Sequence, residues 1–117
     1  MFRFVVFEDE RGRLAGFEAS GHAGLDGKGS NLVCAAVSAL VQTLVTGLKD
    51  EIGISLLLEQ GSDGFLGCRF DGMPDAEQRK SAEMLMRVFE RGFASLVQQN
   101  TEGSVIGIER RRMTARS

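Results

Sequence analysis

The stretch that decides the fold runs from Gly21 to Leu40 and reads GHAGLDGKGSNLVCAAVSAL. Its first half carries the only histidine of the chain, His22, followed by three glycines. Its second half is apolar and holds one of only two cysteines, Cys34. Glycine widens the accessible backbone space, whereas the apolar run after Asn31 has helical periodicity. The stretch therefore predicts a flexible loop followed by a buried helix, with a thiol near the start of that helix.

The composition indicates one soluble globular domain over residues 1–117. Apolar residues make up 43% of the chain and charged residues 26%, which is ordinary for such a domain. The net charge of −2 gives no global reason to expect nucleic-acid binding. Two cysteines and no long apolar run favour a reducing, cytoplasmic setting without a membrane span. No residue pattern points to a cofactor.

Two strands are predicted before the loop. Phe2 to Phe7 is aromatic and β-branched, and Leu14 to Ser20 alternates, with a charged turn between them. In that alternation Leu14, Gly16 and Glu18 share one face. The two strands form a hairpin that delivers His22 at its end.

The elements after the loop follow from periodicity and turn residues. The helix from Leu32 to Asp50 is expected to be capped by Ser30 or Asn31. Two further strands, Ile52–Gln60 and Phe65–Asp71, flank a glycine turn. Pro74 and Asp75 open a second helix that stops near Asn100, and Val105–Ile108 forms a last strand before a polar tail, Glu109–Ser117. The second helix carries an apolar stripe at helical spacing: Ala82, Leu85, Met86, Phe89, Phe93, Leu96 and Val97.

The element order β-β-α-β-β-α-β predicts an α+β fold. Each helix presents an apolar face that must be buried, and the strands supply a sheet to bury it against. We therefore expect two helices packed on a mixed or antiparallel sheet, in a single domain.

The chemistry of the stretch centres on Cys34 and His22. A cysteine attacks as its thiolate, and a position in the first turn of a helix or a nearby imidazole lowers the thiol pKa. Amides of the first helical turn can also donate to the oxyanion of a tetrahedral intermediate. Nucleophile, base and part of an oxyanion hole suit acyl transfer, most simply peptide hydrolysis through a thioester.

Other interpretations of these residues stay open. A cysteine in an apolar helix is often a small buried hydrophobe, and a lone histidine after a strand is often structural. Cys68 lies mid-strand among apolar residues and is expected in the core. One histidine and two widely spaced cysteines do not make a zinc site. The glycine loop lacks the pattern of a phosphate-binding loop.

At this stretch the sequence resembles the bacterial ribosomal-processing cysteine protease family, Prp. The resemblance is carried by Gly21-His22-Ala23-Gly24, a glycine-bearing loop, and Leu32-Val33-Cys34-Ala35-Ala36-Val37-Ser38-Ala39-Leu40. It implies an endopeptidase that cleaves after an aromatic residue and removes a short N-terminal extension. The substrate implied is a large-subunit ribosomal protein, the twenty-seventh in the usual numbering.

The resemblance also implies the roles of individual residues. Cys34 is the nucleophile and His22 its base, and two copies of the chain form a homodimer. A loop from Ala23 to Ser30 moves to admit the peptide. That loop includes Gly24, Gly27, Gly29 and Ser30.

Asn31 departs from the pattern of the family, whose members commonly have Asp at this position. Asn caps a helix about as well as Asp but adds no charge that could stabilise His22. A Cys–His dyad is therefore the expectation for this chain. Ser38, four residues after Cys34, either bonds back to a helix carbonyl or lines the site, and the first option is favoured.

A second hypothesis is a non-catalytic ribosome- or RNA-associated protein. Basic residues cluster from Arg110 to Arg116 beside an otherwise mildly acidic domain. Such a cluster can bind phosphates.

Overall fold

The computed structural model describes residues 2–21, 30–61, 64–99 and 106–113. Its elements follow the predicted order β-β-α-β-β-α-β, with one π-helical turn added after the first helix. They are β1 (Phe2–Glu8), β2 (Leu14–Ser20), α1 (Ser30–Thr46), the π-helical turn (Gly47–Glu51), β3 (Leu56–Gln60), β4 (Leu66–Phe70), α2 (Ala76–Gln99) and β5 (Ile106–Arg112).

The five strands form one mixed sheet in the order β3-β4-β2-β1-β5. Neighbouring strands are antiparallel except β1 and β5, which are parallel. Strands β3 and β5 therefore form the two edges of the sheet. The expectation of an α+β fold with a mixed sheet is confirmed.

Both helices contribute to one apolar core, which covers one face of the sheet. The ring of Phe93 in α2 stacks on Phe2 at 5.8 Å between centroids and packs against Phe4 at 4.5 Å with the rings tilted. Phe4 in turn lies 5.3 Å from Phe17 of the neighbouring strand. The buried core residues are Phe2, Phe4, Val6, Leu14, Phe17, Ala19, Val37, Val41, Leu44, Leu48, Ile54, Cys68, Ala82, Met86, Phe89 and Phe93. The apolar stripe predicted for α2 is thus confirmed at its central positions.

The β1–β2 hairpin is confirmed, but the predicted face of Leu14 is wrong. The pairing register shifts between Phe7 and Glu8, so that Leu14 lies opposite Glu8. This bulge adds a residue to β2 and reverses the alternation at its start. Leu14 therefore joins the core on the same side as Phe17.

The turn of this hairpin is held by Asp9. One carboxylate oxygen accepts the backbone N–H groups of Arg11 and Arg13, each at 2.9 Å. The other accepts Nε of Arg13 at 2.8 Å. These bonds, above all the one from the Arg13 backbone, favour the charged carboxylate and hold the pKa of Asp9 below its ordinary value.

The third strand is shorter than predicted. It begins at Leu56 rather than Ile52, because the chain leaves α1 through the π-helical turn and then bends at Gly53, whose φ is +85°. The N–H of Ile54 donates to the carbonyl of Leu48 at 3.0 Å. Ile52 and Ile54 therefore supply apolar side chains to the core from irregular backbone.

The last strand is longer than predicted. It runs from Ile106 to Arg112, so the first four residues of the expected polar tail are strand paired in parallel with β1. The guanidinium of Arg110 donates to Glu90 of α2 at 2.6 and 3.0 Å and to Glu8 of β1 at 2.8 Å. Arginines in this segment thus join β5 to its neighbours.

The start of α2 is confirmed. The N–H of Gln78 donates to the Asp75 side chain at 2.8 Å, and the Gln78 side chain accepts the N–H of Asp75 at 3.0 Å. This reciprocal pair satisfies two amides of the first turn. The helix ends at Gln99, and the predicted stop at Asn100 lies outside the described residues. Within the described part of the chain, no helix is long and apolar enough to cross a membrane.

Candidate active site

The site predicted from sequence lies where β2 ends and α1 begins. Gly21 follows β2 with a φ of +86°, which lets the chain turn away from the sheet without the strain that a Cβ would bring. His22 and the loop glycines Gly24, Gly27 and Gly29 lie outside the described residues, and α1 starts at Ser30.

The bounds of α1 place Cys34 further along the helix than expected. Ser30 and Asn31 are both helical, so Cys34 is the fifth residue of the helix rather than the third. The position that precedes α1 lies outside the described residues, so the capping role of Ser30 or Asn31 stays a prediction. Unpaired amides belong to the first four helical residues, here 30–33, and the helix dipole fades beyond the first turn. The helix alone therefore favours a thiolate at residue 34 less than the sequence suggested.

A cavity of about 440 Å³ lies beside α1, directly after the turn that contains Cys34. One wall is α1 itself, and the floor is formed by the ends of β1 and β2. The opposite wall is the β3–β4 hairpin. The lining residues are Phe2, Ala19, Gly21, Val37, Ser38, Val41, Gln42, Gln60, Gly61, Gly64, Phe65 and Leu66.

The described lining of this cavity is neutral. Its polar side chains are Ser38, Gln42 and Gln60, and its apolar side includes two aromatic rings, Phe2 and Phe65. Ligand pockets of a few hundred Å³ commonly combine an apolar lining with a few uncharged polar groups. The cavity is therefore suited to an apolar or aromatic group joined to a polar backbone.

Ser38 lies on this cavity and is exposed. The bond from Ser38 back to a helix carbonyl stays a prediction; Thr43 makes such a bond, its hydroxyl donating to the carbonyl of Ala39 at 2.6 Å. The structure thus places Ser38 where it can meet a ligand in the cavity.

Cys68 has the core position that the sequence predicted. It lies in β4, its side chain is fully buried, and burial raises the pKa of its thiol to about 12. A neutral buried thiol is neither a nucleophile nor a metal ligand. Within the described residues, no group of three or more His, Cys, Asp or Glu side chains could hold a metal ion.

Sequence reasoning missed the part of the cavity that comes from the β3–β4 hairpin. Gln60 and Phe65 line it only because the sheet order brings this hairpin across from α1. One signal was present in α1: Ser38 and Gln42 are polar positions one turn apart in an otherwise apolar helix. Polar side chains at that spacing mark a helix face that looks onto water or a ligand.

Comparison with known proteins matches the chain to one protein family. The sequence profile of the family Cysteine protease Prp matches residues 1–104. The ribosomal processing cysteine protease Prp of Bacillus subtilis is 35% identical over 74 residues, which span 62% of this chain and 66% of the Bacillus protein.

Solved structures share the fold over nearly the full chain. The essential ribosomal processing protease Prp from S. aureus, in complex with a covalently linked product peptide, has a TM-score of 0.74 at 15% identity and covers 95% of this chain and 100% of its own. SMU.848 from Streptococcus mutans has a TM-score of 0.66 at 26% identity, covering 97% and 95%. With the family profile spanning most of its length, the chain belongs to the Prp family of cysteine proteases.

Proposed function

We propose that this protein is a cytoplasmic cysteine endopeptidase of one domain. Its substrate would be the precursor of the twenty-seventh large-subunit ribosomal protein of bacteria, from which it removes the N-terminal extension. Family membership supports the peptidase activity, and the name of the Bacillus relative supports a role in ribosomal processing. The S. aureus relative has been solved with a substrate peptide and with a covalently linked product peptide.

The observation that carries the proposal is the position of residue 34 relative to the cavity. Helical geometry puts position 34 on the face of α1 that carries Ser38 and Val41, one turn closer to the start of the helix. Ser38 and Val41 both line the cavity. A peptide whose aromatic side chain fills the cavity therefore has its backbone near position 34.

The reaction follows from a thiol and an imidazole. His22 accepts the proton of the Cys34 thiol, and the thiolate adds to the peptide carbonyl to form a tetrahedral intermediate. Collapse breaks the C–N bond, and the leaving amine takes the proton from the imidazolium. Water, deprotonated by His22, then hydrolyses the thioester, and the proton held by His22 returns to the thiolate. Amides at the start of α1 would stabilise the oxyanion at both stages.

Because the helix stabilises a thiolate at residue 34 less than the sequence suggested, ionisation of the thiol depends more on His22. With Cys34 beyond the first turn, the imidazolium becomes the main source of positive charge for the thiolate. Asn31 supplies no carboxylate to support that charge. Asn31→Asp is therefore expected to widen the pH range of activity at its upper end, because a carboxylate beside His22 would raise the imidazole pKa.

The proposal is tested by incubating the protein with a synthetic peptide that spans the extension and the first residues of the mature ribosomal protein. Mass spectrometry should show one cut, after an aromatic residue. Cys34→Ala and His22→Ala should each abolish it, whereas Cys68→Ala, which removes the other thiol, should retain it. Intact peptide with the wild-type protein, or equal cleavage by Cys34→Ala, would refute the assignment.

A homodimer and a mobile loop at residues 23–30 are parts of the same proposal, supported by the family resemblance. Light scattering after size exclusion should give twice the chain mass of 12.7 kDa. Protease nicking confined to the Gly24–Gly29 segment, and reduced by a bound product peptide, is expected if this loop closes over the substrate.

The alternative of an RNA-binding tail has less support. Arg110 is engaged with Glu90 and Glu8, and Arg111 pairs with Glu109 at 2.6 Å. Guanidinium groups held by carboxylates are poorer partners for phosphate. Salt-dependent RNA binding that disappears in Arg112→Ala would restore this alternative.

A further inference from the structure

The exposed edge of the sheet at β3 is unusually open. Strand β3 forms one edge of the sheet, and its side chains beyond Leu56 are exposed, with Leu57 at 57% and Leu58 at 48%. Proteins commonly protect an edge strand with charges, proline or a bulge, because its unpaired amides and carbonyls bind other extended chains. The opposite edge, β5, is charged from Glu109 to Arg112, whereas Glu59 is the only charged residue of β3.

The hydrogen bonds of the β3–β4 hairpin show which backbone groups of β3 have no partner within the hairpin. The N–H of Gly61 donates to the carbonyl of Phe65, and the N–H of Asp71 donates to the carbonyl of Ser55. In an antiparallel pair such bonding positions alternate. Odd-numbered residues of β3 therefore face β4, and the even-numbered residues Leu56, Leu58 and Gln60 direct their N–H and C=O groups outward.

The same alternation places the side chains of the outward-facing residues. Leu58 lies opposite Cys68, which belongs to the core on the helix side of the sheet. Leu56, Leu58 and Gln60 thus carry side chains on the helix side, and Gln60 lines the cavity beside α1. A chain added along this edge has every second side chain on the cavity side of the sheet.

We propose that the substrate peptide binds as an additional strand on the free edge of β3, with alternate apolar side chains directed to the helix side and one of them in the cavity. The inference rests on the proposed peptidase function. Three observations favour an extended peptide as the occupant: backbone groups on alternate residues that are directed away from β4, an edge strand with one charged residue, and a neutral cavity at the end of the strand. Backbone bonds supply affinity in this mode, and alternate side-chain sites supply specificity.

The decisive experiment places a single N-methyl group on each successive residue of the precursor peptide. Binding to Cys34→Ala is followed by fluorescence anisotropy, and cleavage by the wild-type protein in parallel. Each N-methyl group that replaces an amide bonded to β3 should weaken binding about tenfold, the value of one hydrogen bond. Amides that point away from β3 should tolerate it, so the losses should alternate along the paired segment.

A protein variant tests the same edge from the other side. Proline at position 58 removes an N–H that faces outward, and edge strands tolerate proline there because the bonds to β4 are kept. Leu58→Pro should therefore raise KM while leaving kcat and the melting temperature near their wild-type values. Leu58→Ala separates the loss of the side chain from the loss of the amide, and Leu57→Thr, on the other face, serves as the matched control.

The outcomes distinguish this proposal from the one it rests on. Strand addition would be overturned if the wild-type protein cleaves the peptide but every N-methyl group is tolerated, or if binding is weakened at consecutive residues. The proposed peptidase activity would then stand. Absence of both binding and cleavage of the parent peptide would remove the two proposals together.

Discussion

Replacing Cys34 by alanine should leave the folded protein without a reactive thiol. The only cysteine that remains is Cys68, which lies in β4 with its side chain fully buried against the helices. Because burial disfavours the charged thiolate, the pKa of this thiol is raised to about 12.

The size of the effect follows from that pKa. At pH 7 a thiol with a pKa of about 12 is ionised in roughly one molecule in 10⁵, whereas an ordinary thiol of pKa about 8.5 is ionised to about 3%. Alkylation through the thiolate should therefore be about 3,000-fold slower for Cys68 than for a free thiol. The core also excludes the reagent, which slows alkylation further, so Cys68 is labelled only when the protein unfolds.

The assay counts labelled thiols by mass spectrometry after iodoacetamide treatment. Cys34→Ala should take up no label when native and one label in denaturant, whereas Cys68→Ala should be labelled in the native state, with a pH dependence that reports Cys34 alone. Native Cys34→Ala that reacts at the rate of a free thiol would refute the burial argument. It would also remove the basis for assigning thiol reactivity to Cys34.

Three further predictions concern stability. Phe93→Ala should lower the free energy of unfolding by about 3–5 kcal/mol, because Phe93 is fully buried and packs against Phe4; a loss below about 1 kcal/mol in urea unfolding would contradict this packing. Asp75→Ala should lower the free energy of unfolding by about 1 kcal/mol, since the Asp75 side chain accepts the N–H of Gln78. Thermal unfolding of Asp75→Ala and of Gln78→Ala, each compared with the wild type, measures this loss. For Asp9 the folded pKa lies below the ordinary 3.8, so its charged form stabilises the fold above that pH and the benefit is lost as the pH falls through the folded value. The stability gap between wild type and Asp9→Asn should therefore be constant near neutral pH and close in acid; a gap that widens on acidification would show the opposite sign.

Much of the fold could be predicted because it depends on local patterns. The aromatic and β-branched residues of β1, the stripe around Phe93 in α2 and the start of α2 at Pro74 and Asp75 are each predictable from a few residues of sequence. Burial of Cys68 followed from its apolar neighbours in the same way.

The errors arose where a distant partner decides the local structure. Ile52 and Ile54 are β-branched, yet they lie in irregular backbone because the π-helical turn sets where β3 can start. Arg110 lies in a strand that pairs with β1, and its guanidinium is bonded to Glu90 and Glu8. Neither cause is visible in a window of neighbouring residues.

The candidate site, like the fold, could be predicted only where local sequence determines it. The candidate nucleophile Cys34 and its base His22 could be proposed from one short stretch, because their spacing resembles that of a known family. The cavity could not, since its wall of Gln60, Gly61 and residues 64–66 meets α1 only through the order of the strands. Peptide specificity therefore depends on a part of the chain that no local motif marks.

The parallel pairing of β1 with β5 has a consequence for biosynthesis. Phe2 is aligned with Ile106, and Glu8 with Arg112, so β1 gains its outer neighbour only when β5 has been synthesised. Until then the nascent chain exposes β1, with Phe4 and Val6 on it, as a temporary sheet edge. Such long-range closure slows folding and leaves the incomplete chain prone to aggregation. A chain truncated before residue 106 would lack β5, so β1 would stay exposed as a sheet edge.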